Sequence, residues 1–427
     1  MLVILITAFG IPSIVFGRAP QDHRTDIQLS YSQRMRIEMW DNTIGLSKSS
    51  GSGSSYFRNR SSLALTYNSL IDVALSVKLT NELRYYAVPE SRGFEFDELF
   101  IDLLFFKWNN VLRFPVSVTL GRQNMSFGEG FVVMDGGPLD GSRSAYFNAA
   151  RLDWNLSSKS RMSVFYFFQP ERDQYLPILN NLKKKLIEHH EEGFGIHYSV
   201  SMATGEVQGY LIRKSARSSD LQNRSARMLT SGIRVNYTIL PALSLSAETA
   251  YQLGEWNTDP MRAYGGYIYG EYSPEMKPYL PKKVTLGGIY LSGDDQETEA
   301  HEGWDPLFSR WPKWSESYIY ALAPEQGPAY WSNFASVYAR FAFDITSDVM
   351  VTVDYHHLMA PERAPSGALF PGGTGRTRGE LVVGKLSYKL YDYLTGHVIV
   401  EHFTPGNYYF DGADSYAWIR LETLLNF

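Results

Sequence analysis

The stretch SYAWIRLETLLNF, residues 415–427, is built on a period of two. Ala417, Ile419, Leu421, Leu425 and Phe427 share one parity, and Arg420, Glu422 and Asn426 share the other. Successive side chains of a strand point to opposite faces, so the stretch reads as a strand with one face suited to hydrocarbon and one suited to water. One such strand would fit many folds. The decision comes from how often the pattern recurs and how the pieces are joined.

The alternation returns in LALTY from Leu63, DVALSVKL from Asp72, FPVSVTLG from Phe114, RLDWNL from Arg151, SLSAETAY from Ser244, ASVYARFAFD from Ala335 and VMVTVDY from Val349. Eighteen segments follow, beginning near residues 25, 61, 72, 95, 113, 147, 160, 193, 205, 227, 242, 262, 282, 333, 349, 376, 393 and 415. Their connections alternate in length. Tight ones fall at 68–71, 109–110, 157–159, 203–204, 240–241, 347–348 and 391–392, with a longer one at 273–281. Long ones lie between them at 41–59, 126–145, 170–192, 215–225, 293–332, 360–375 and 404–414.

An antiparallel barrel with both ends on one side must place odd and even connections on opposite rims. Outer-membrane barrels combine an even strand number with short periplasmic turns and long outer loops. The expectation is therefore an all-β fold, a transmembrane antiparallel up-and-down β-barrel of eighteen strands. It forms a single domain over residues 18–427, sits in the bacterial outer membrane, and closes its last strand against its first. A final alternating strand ending in an aromatic also suits the signal read by the outer-membrane insertion machinery, an expected partner beside outer-membrane lipid.

Composition agrees. The 427 residues include 29 Tyr, 24 Phe and 35 Gly, a strand-and-turn balance. Past the first residues no run approaches the ~18 apolar residues of a membrane helix. A net charge of −5 offers no basic field for nucleic acid. The absence of Cys removes disulfides, thiolate metal sites and Cys nucleophiles together. MLVILITAFGIPSIVFG, residues 1–17, is apolar, closes on Val15, Phe16 and Gly17, and reads as a signal peptide.

Parity also sorts the charges. Phe114, Val116, Val118 and Leu120 form a lipid face, as do Ala335, Val337, Ala339, Phe341 and Phe343, while Tyr85, Tyr86, Trp108, Trp154, Tyr237, Tyr355 and Phe427 sit at segment ends as interfacial girdles do. The other parity carries Arg34, Arg36, Glu38, Lys78, Glu82, Arg84, Glu98, Asp102, Arg151, Asp153, Arg234, Glu248, Arg340, Asp344, Asp354, Lys385, Glu401, Arg420 and Glu422. A charge facing lipid at mid-depth costs roughly 2–4 kcal/mol, so these belong in the lumen. There Arg84, Arg234, Arg340 and Arg420 could pass an anionic glycan along by contacts to carboxylates, or the interior could satisfy itself through salt bridges.

Other features carry less. LPILNNLKKKLIEHHEE from Leu176 spaces its apolar residues as a helix would, so a helical lid over the mouth is one reading, with Lys183, Lys184 and Lys185 drawing polyanion. His189-His190 and His356-His357 lack metal-ligand spacing, and adjacent strand residues face opposite ways. No G-x-S-x-G elbow ties a Ser to a His, so neither an enzyme nor a cofactor or metal site is expected.

LGRQNMSFGEGFVVMDGGPLDGSRSAYFNAARLDW, residues 120–154, resembles the signature region of the bacterial alginate export family, through Gly121-Arg122-Gln123, Asp140-Gly141, Arg143 and the run from Phe147 to Arg151. WDPLFSRWP, residues 304–312, resembles that family's extracellular Asp-Pro-Leu-Phe stretch. The resemblance implies an outer-membrane channel that exports an anionic, alginate-like exopolysaccharide through an Arg-lined constriction. Carried over by position, Arg122, Arg143 and Arg151 would grip carboxylates, with Gln123 and Asp153 beside them. Asn148 departs from the expected acid, and the turn at 391–392 is too short for a periplasmic plug. Arg122 falls on the lipid parity, so either Gly121 marks a bulge that turns it inward, the preferred reading, or Arg122 lies above the bilayer. The alternative is a porin, general or substrate-specific, for uptake of small solutes. Exporter and porin separate on whether lumen arginines lack matching carboxylates.

Overall fold

The computed structural model describes residues 26–427 apart from 51–52, 70–71, 136–146, 181–183, 185, 188, 218–224, 275–279, 310–313, 327–329 and 365–371. The expected signal peptide and Arg143 therefore lie outside the described residues. Long alternating strands dominate: β1 (Asp26–Asp41), β2 (Ser54–Asn68), β3 (Val73–Val88), β4 (Phe94–Trp108), β5 (Val116–Gln123), β6 (Phe147–Asn155), β7 (Ser160–Gln169), β8 (His190–Met202) and β9 (Gly205–Arg217). The second half continues with β10 (Ala226–Leu240), β11 (Leu243–Trp256), β12 (Asp259–Tyr272), β13 (Lys283–Leu291), β14 (Phe334–Thr346), β15 (Val349–Met359), β16 (Thr377–Tyr391), β17 (Leu394–Pro405) and β18 (Tyr416–Asn426). Each pairs antiparallel with the next, and β18 pairs with β1 from Ser32↔Asn426 to Asp41↔Ala417. The result is a closed eighteen-stranded barrel. Closure matters because a backbone in hydrocarbon has no water to satisfy an open edge.

The two parities live in opposite solvents. Val337 is 60% exposed on the outer wall, and Leu229, Ile233, Leu253, Ile268, Leu286 and Val400 join it in the apolar belt. The girdle positions Tyr85, Trp154, Tyr237, Tyr355 and Phe427 are likewise exposed, whereas Tyr86 is buried inside and does not belong to that ring. Of the expected lumen charges, Arg36, Glu38, Glu82, Glu98, Asp102, Asp153, Arg234, Glu248, Asp354, Glu401, Arg420 and Glu422 are buried on the inner side. Two register shifts between β3 and β4 skip Asp102 and Asp97, and these bulges let neighbouring acids turn inward together. A closed barrel with an apolar outer wall is the form of an integral outer-membrane protein of bacteria.

Tight turns at 203–204, 241–242, 347–348 and 392–393 share one rim with the start of β1 and the end of β18, and long connections at 124–146, 170–189, 292–333 and 360–376 share the other, the outer rim. Two outer connections are short, at 89–93 and 257–258. The hydrophobic core lies within the barrel, where long outer connections fold down into it.

Candidate solute path

The segment after β5 enters the lumen first. Phe127 stacks on His197 with ring centroids 4.4 Å apart, and Arg151 lies 5.3 Å over the same ring. Phe131 stacks on Trp304, which is fully buried. Gly265 on β12 makes room for that indole, since a Cβ there would meet the ring at 2.9 Å. Val133–Met134 pairs in parallel with Phe308–Ser309, knitting the 124–135 and 292–333 connections into one infolded body.

Polar anchors fix that body to the wall. Asp305 accepts hydrogen bonds from Lys214 Nζ at 2.8 and 3.1 Å, from Tyr330 Oη at 2.9 Å and from the Leu307 N–H at 2.6 Å. Gln252 on β11 closes a reciprocal pair with the Asp305 backbone at 2.8 and 2.9 Å. On the opposite wall sits helix α1 (Tyr318–Gln326). Glu401 accepts from Ser315 Oγ, Ser317 Oγ and the N–H groups of Glu316 and Ser317 ahead of α1. Arg378 grips Glu325 with two hydrogen bonds, at 2.8 and 2.9 Å. Burial pushes the Glu316 carboxyl up, against the pull of Arg420 at 2.9 Å.

Between this infolded body and the β12–β15 wall lies a chamber of about 430 Å³. Tyr267, Tyr269, Tyr338, Trp314, Trp331 and Phe131 give it aromatic faces. Lys282, Lys283 and Arg340 line it toward the tight-turn rim, with side chains 52%, 40% and 39% exposed, so a dissolved solute can reach them. Each has an acidic partner: Asp344 at 2.7 Å, Glu271 at 2.7 Å and Asp354 at 2.6 Å. Glu129 reaches across from the infolded segment to Arg234 at 3.0 Å and accepts from Tyr269 Oη at 2.8 Å.

The arginines singled out from the sequence do not form one ring. Arg340 lines the chamber and Arg234 borders it, but Arg84 pairs with Asp97 and Glu82 near β2–β4, Arg151 with Asp153 at 2.9 Å, and Arg420 with Glu316 beside β18. Arg122 is buried and holds Asp173 through two hydrogen bonds of 2.8 and 2.6 Å. Gly121 has a φ of +118°, yet β5 keeps its register on both sides, so no bulge re-aims Arg122. It stays on the outward parity and is covered by the connection after β7. Gln123 does face inward, where its side-chain amide donates to the carbonyls of Thr119, Gly121 and Ala149. The helical reading of this stretch, as a lid over the mouth, is not met among the described residues, because Ile178–Leu179 is extended and pairs with Leu99 and Phe100 of β4. Lys184 there lies 3.3 Å from Glu98, and burial lowers its pKa. His356 faces inward to Ser336 and His357 outward to Glu380.

Sequence reasoning missed Glu129, Lys214, Asp305, Tyr338 and α1. The compact WDPLFSRWP stretch, rich in Trp and Pro within a long outer connection, was the one signal that this connection packs against something.

Comparison of the fold with solved structures returns barrels of the same kind. OccK2 (OpdF) of Pseudomonas aeruginosa superposes with a TM-score of 0.59 at 12% identity, over 94% of this chain and 97% of that one. The outer-membrane protein OpdK of the same organism gives 0.59 at 11%, over 94% and 98%. OccAB3 of Acinetobacter baumannii gives 0.58 at 10%, over 94% and 99%. At such identities the likeness establishes the fold. No family model and no curated protein matches the sequence, the alginate export family included.

Proposed function

We propose that this barrel is a channel for uptake of small solutes, selective for ring-bearing organic acids. The observation that carries the reading is the chamber beside the infolded connections, whose volume of about 430 Å³ lies within the range of small-molecule sites. Its composition supports the solute class. Tyr and Trp faces suit a sugar or aromatic ring, and Arg340 with Lys282 and Lys283 can exchange an intramolecular carboxylate for that of a solute. Similar barrels have been crystallised with ligands of this kind, OccK2 with glucuronate and OpdK with vanillate.

Export of an alginate-like polymer is less well supported. The mark expected of it was a lumen constriction of arginines without matching carboxylates, and Arg84, Arg151, Arg234, Arg340 and Arg420 all have acidic partners. Liposome swelling with glucuronate, vanillate and glucose tests the proposal, with planar-bilayer current measured beside alginate. The two acids should enter faster than glucose, and Arg340→Gln should lose about tenfold of that preference, the loss of one charge-assisted hydrogen bond of roughly 1.5 kcal/mol. Block by alginate with no preference among small solutes would sink it.

A further inference from the structure

Outward-facing charge is scarce on the apolar belt but gathers at one place on the outer rim. Arg213 and Arg217 of β9, Arg227 of β10 and Arg262 of β12 all point away from the lumen and are exposed. Leu229 stands beside Arg213 and Leu253 beside Arg262, with Ile196 and Leu211 a step below, all on the lipid-facing wall. Among the described residues, Glu192 and Glu255 face outward between these arginines. Glu192 takes Arg217 at 3.0 Å. Among the described residues, Arg213, Arg227 and Arg262 have no carboxylate within ion-pair distance, although Glu255 stands opposite Arg227 in register. Elsewhere on this rim Arg376 is matched by Glu362 and Arg92 by Glu95, each at 2.8 Å.

The cluster also has shape. Tyr166, Phe194, Arg213, Arg227, Glu192 and Glu255 line a depression of about 800 Å³ on the outer wall, with Gly193 in its floor. Apolar rings and guanidinium groups thus share one hollow that opens onto the belt. A guanidinium is weakly hydrated and matches phosphate oxygens with two parallel donors, so Arg213 and Arg227 in the hollow and Arg262 two strands from Arg227, none with a carboxylate in ion-pair distance among the described residues, select a phosphate-bearing head group at the lipid boundary.

We propose that the outer ends of β8–β12 form a docking site for a phosphorylated glycolipid of the outer leaflet. Its phosphates bind Arg213, Arg227 and Arg262, its sugar core covers Tyr166 and Phe194, and its acyl chains lie along Ile196, Leu211, Leu229 and Leu253. The site is separate from the chamber and does not depend on which solute passes.

Native mass spectrometry of the full chain in detergent tests it, using lipid A, an acylated disaccharide with two phosphates, against its dephosphorylated form. Lipid A should remain bound in preference, and Arg213→Gln with Arg227→Gln should weaken binding tenfold or more. Arg376→Gln, a matched control on the same rim, should not. Single-channel current of the double variant should equal the parent's, which shows that the barrel is intact. Equal retention of both lipid forms, unchanged binding in the double variant, or full displacement by inorganic phosphate would overturn the proposal.

Discussion

Asp305→Asn isolates the anchor of the infolded body. Lys214 and Asp305 have side chains only 1% and 2% exposed, and Glu191 at 3.1 Å is the other acid on the ammonium. Removing the Asp305 charge keeps the shape but leaves a buried cation half-matched and weakens the bonds from Tyr330 and the Leu307 N–H. Breaking one partner of a buried pair costs about 3–5 kcal/mol, and the remaining acid brings the expectation to the lower end. At about 1.4 kcal/mol per decade, roughly 3 kcal/mol shifts the ratio of docked to released loop about a hundredfold. The barrel wall does not depend on this pair, so the change should appear in the pore. Planar-bilayer recording should show larger and noisier single-channel current, and protease should cut within 292–333 where the parent resists. Identical current and identical protection would refute the claim that this connection is held down by Asp305.

Phe341→Arg places a charge on the lipid face at the middle of β14, opposite Val284 and Val353, and should cost roughly 2–4 kcal/mol, read as a lower urea midpoint for folding into vesicles. Gly121→Val should sharply reduce the yield of heat-modifiable barrel on gels, because a Cβ there would stand 2.3 Å from the Leu104 carbonyl at a φ of +118°. Burial opposes ionisation of Asp294, yet the bonds from His301 at 3.1 Å and from the Glu302 N–H hold its carboxyl below the usual value. A lowered carboxyl stabilises the fold above its unfolded pKa and loses that contribution as pH falls through the folded one. Protection of the amides around 294–302, taken relative to their intrinsic exchange rates, should therefore fall in acid below the ordinary aspartate range, and a flat protection profile would count against the ion pair.

The wall was legible because two solvents enforce parity residue by residue. β6, β7, β9 and β15 begin where the alternation placed them. β2 begins at Ser54 instead of near 61, because SSYFRNR carries polar residues on both parities where the strand rises to the rim and meets no hydrocarbon. The lumen charges Arg36, Glu38 and Glu422 were placed on the correct face, but not their partners. Arg36 with Glu422 joins residues 386 apart in sequence, and only closure of the barrel brings them together. The chamber was least legible. It depends on Glu129 and Trp331, in outer connections with no period, whose direction is set by distant contacts such as Phe131 on Trp304 and Trp331 Nε1 on the Ser309 carbonyl.

The connection from β13 to β14 is moored twice, at Asp305 on one wall and through α1 on the other. It acts as a strut across the bore instead of a flap hinged on one side. A single backbone scission between Ser309 and Trp314 would leave each fragment held by its own bonds. A nicked molecule should thus keep its shape, and loosening one mooring should free only the half of the connection that it holds.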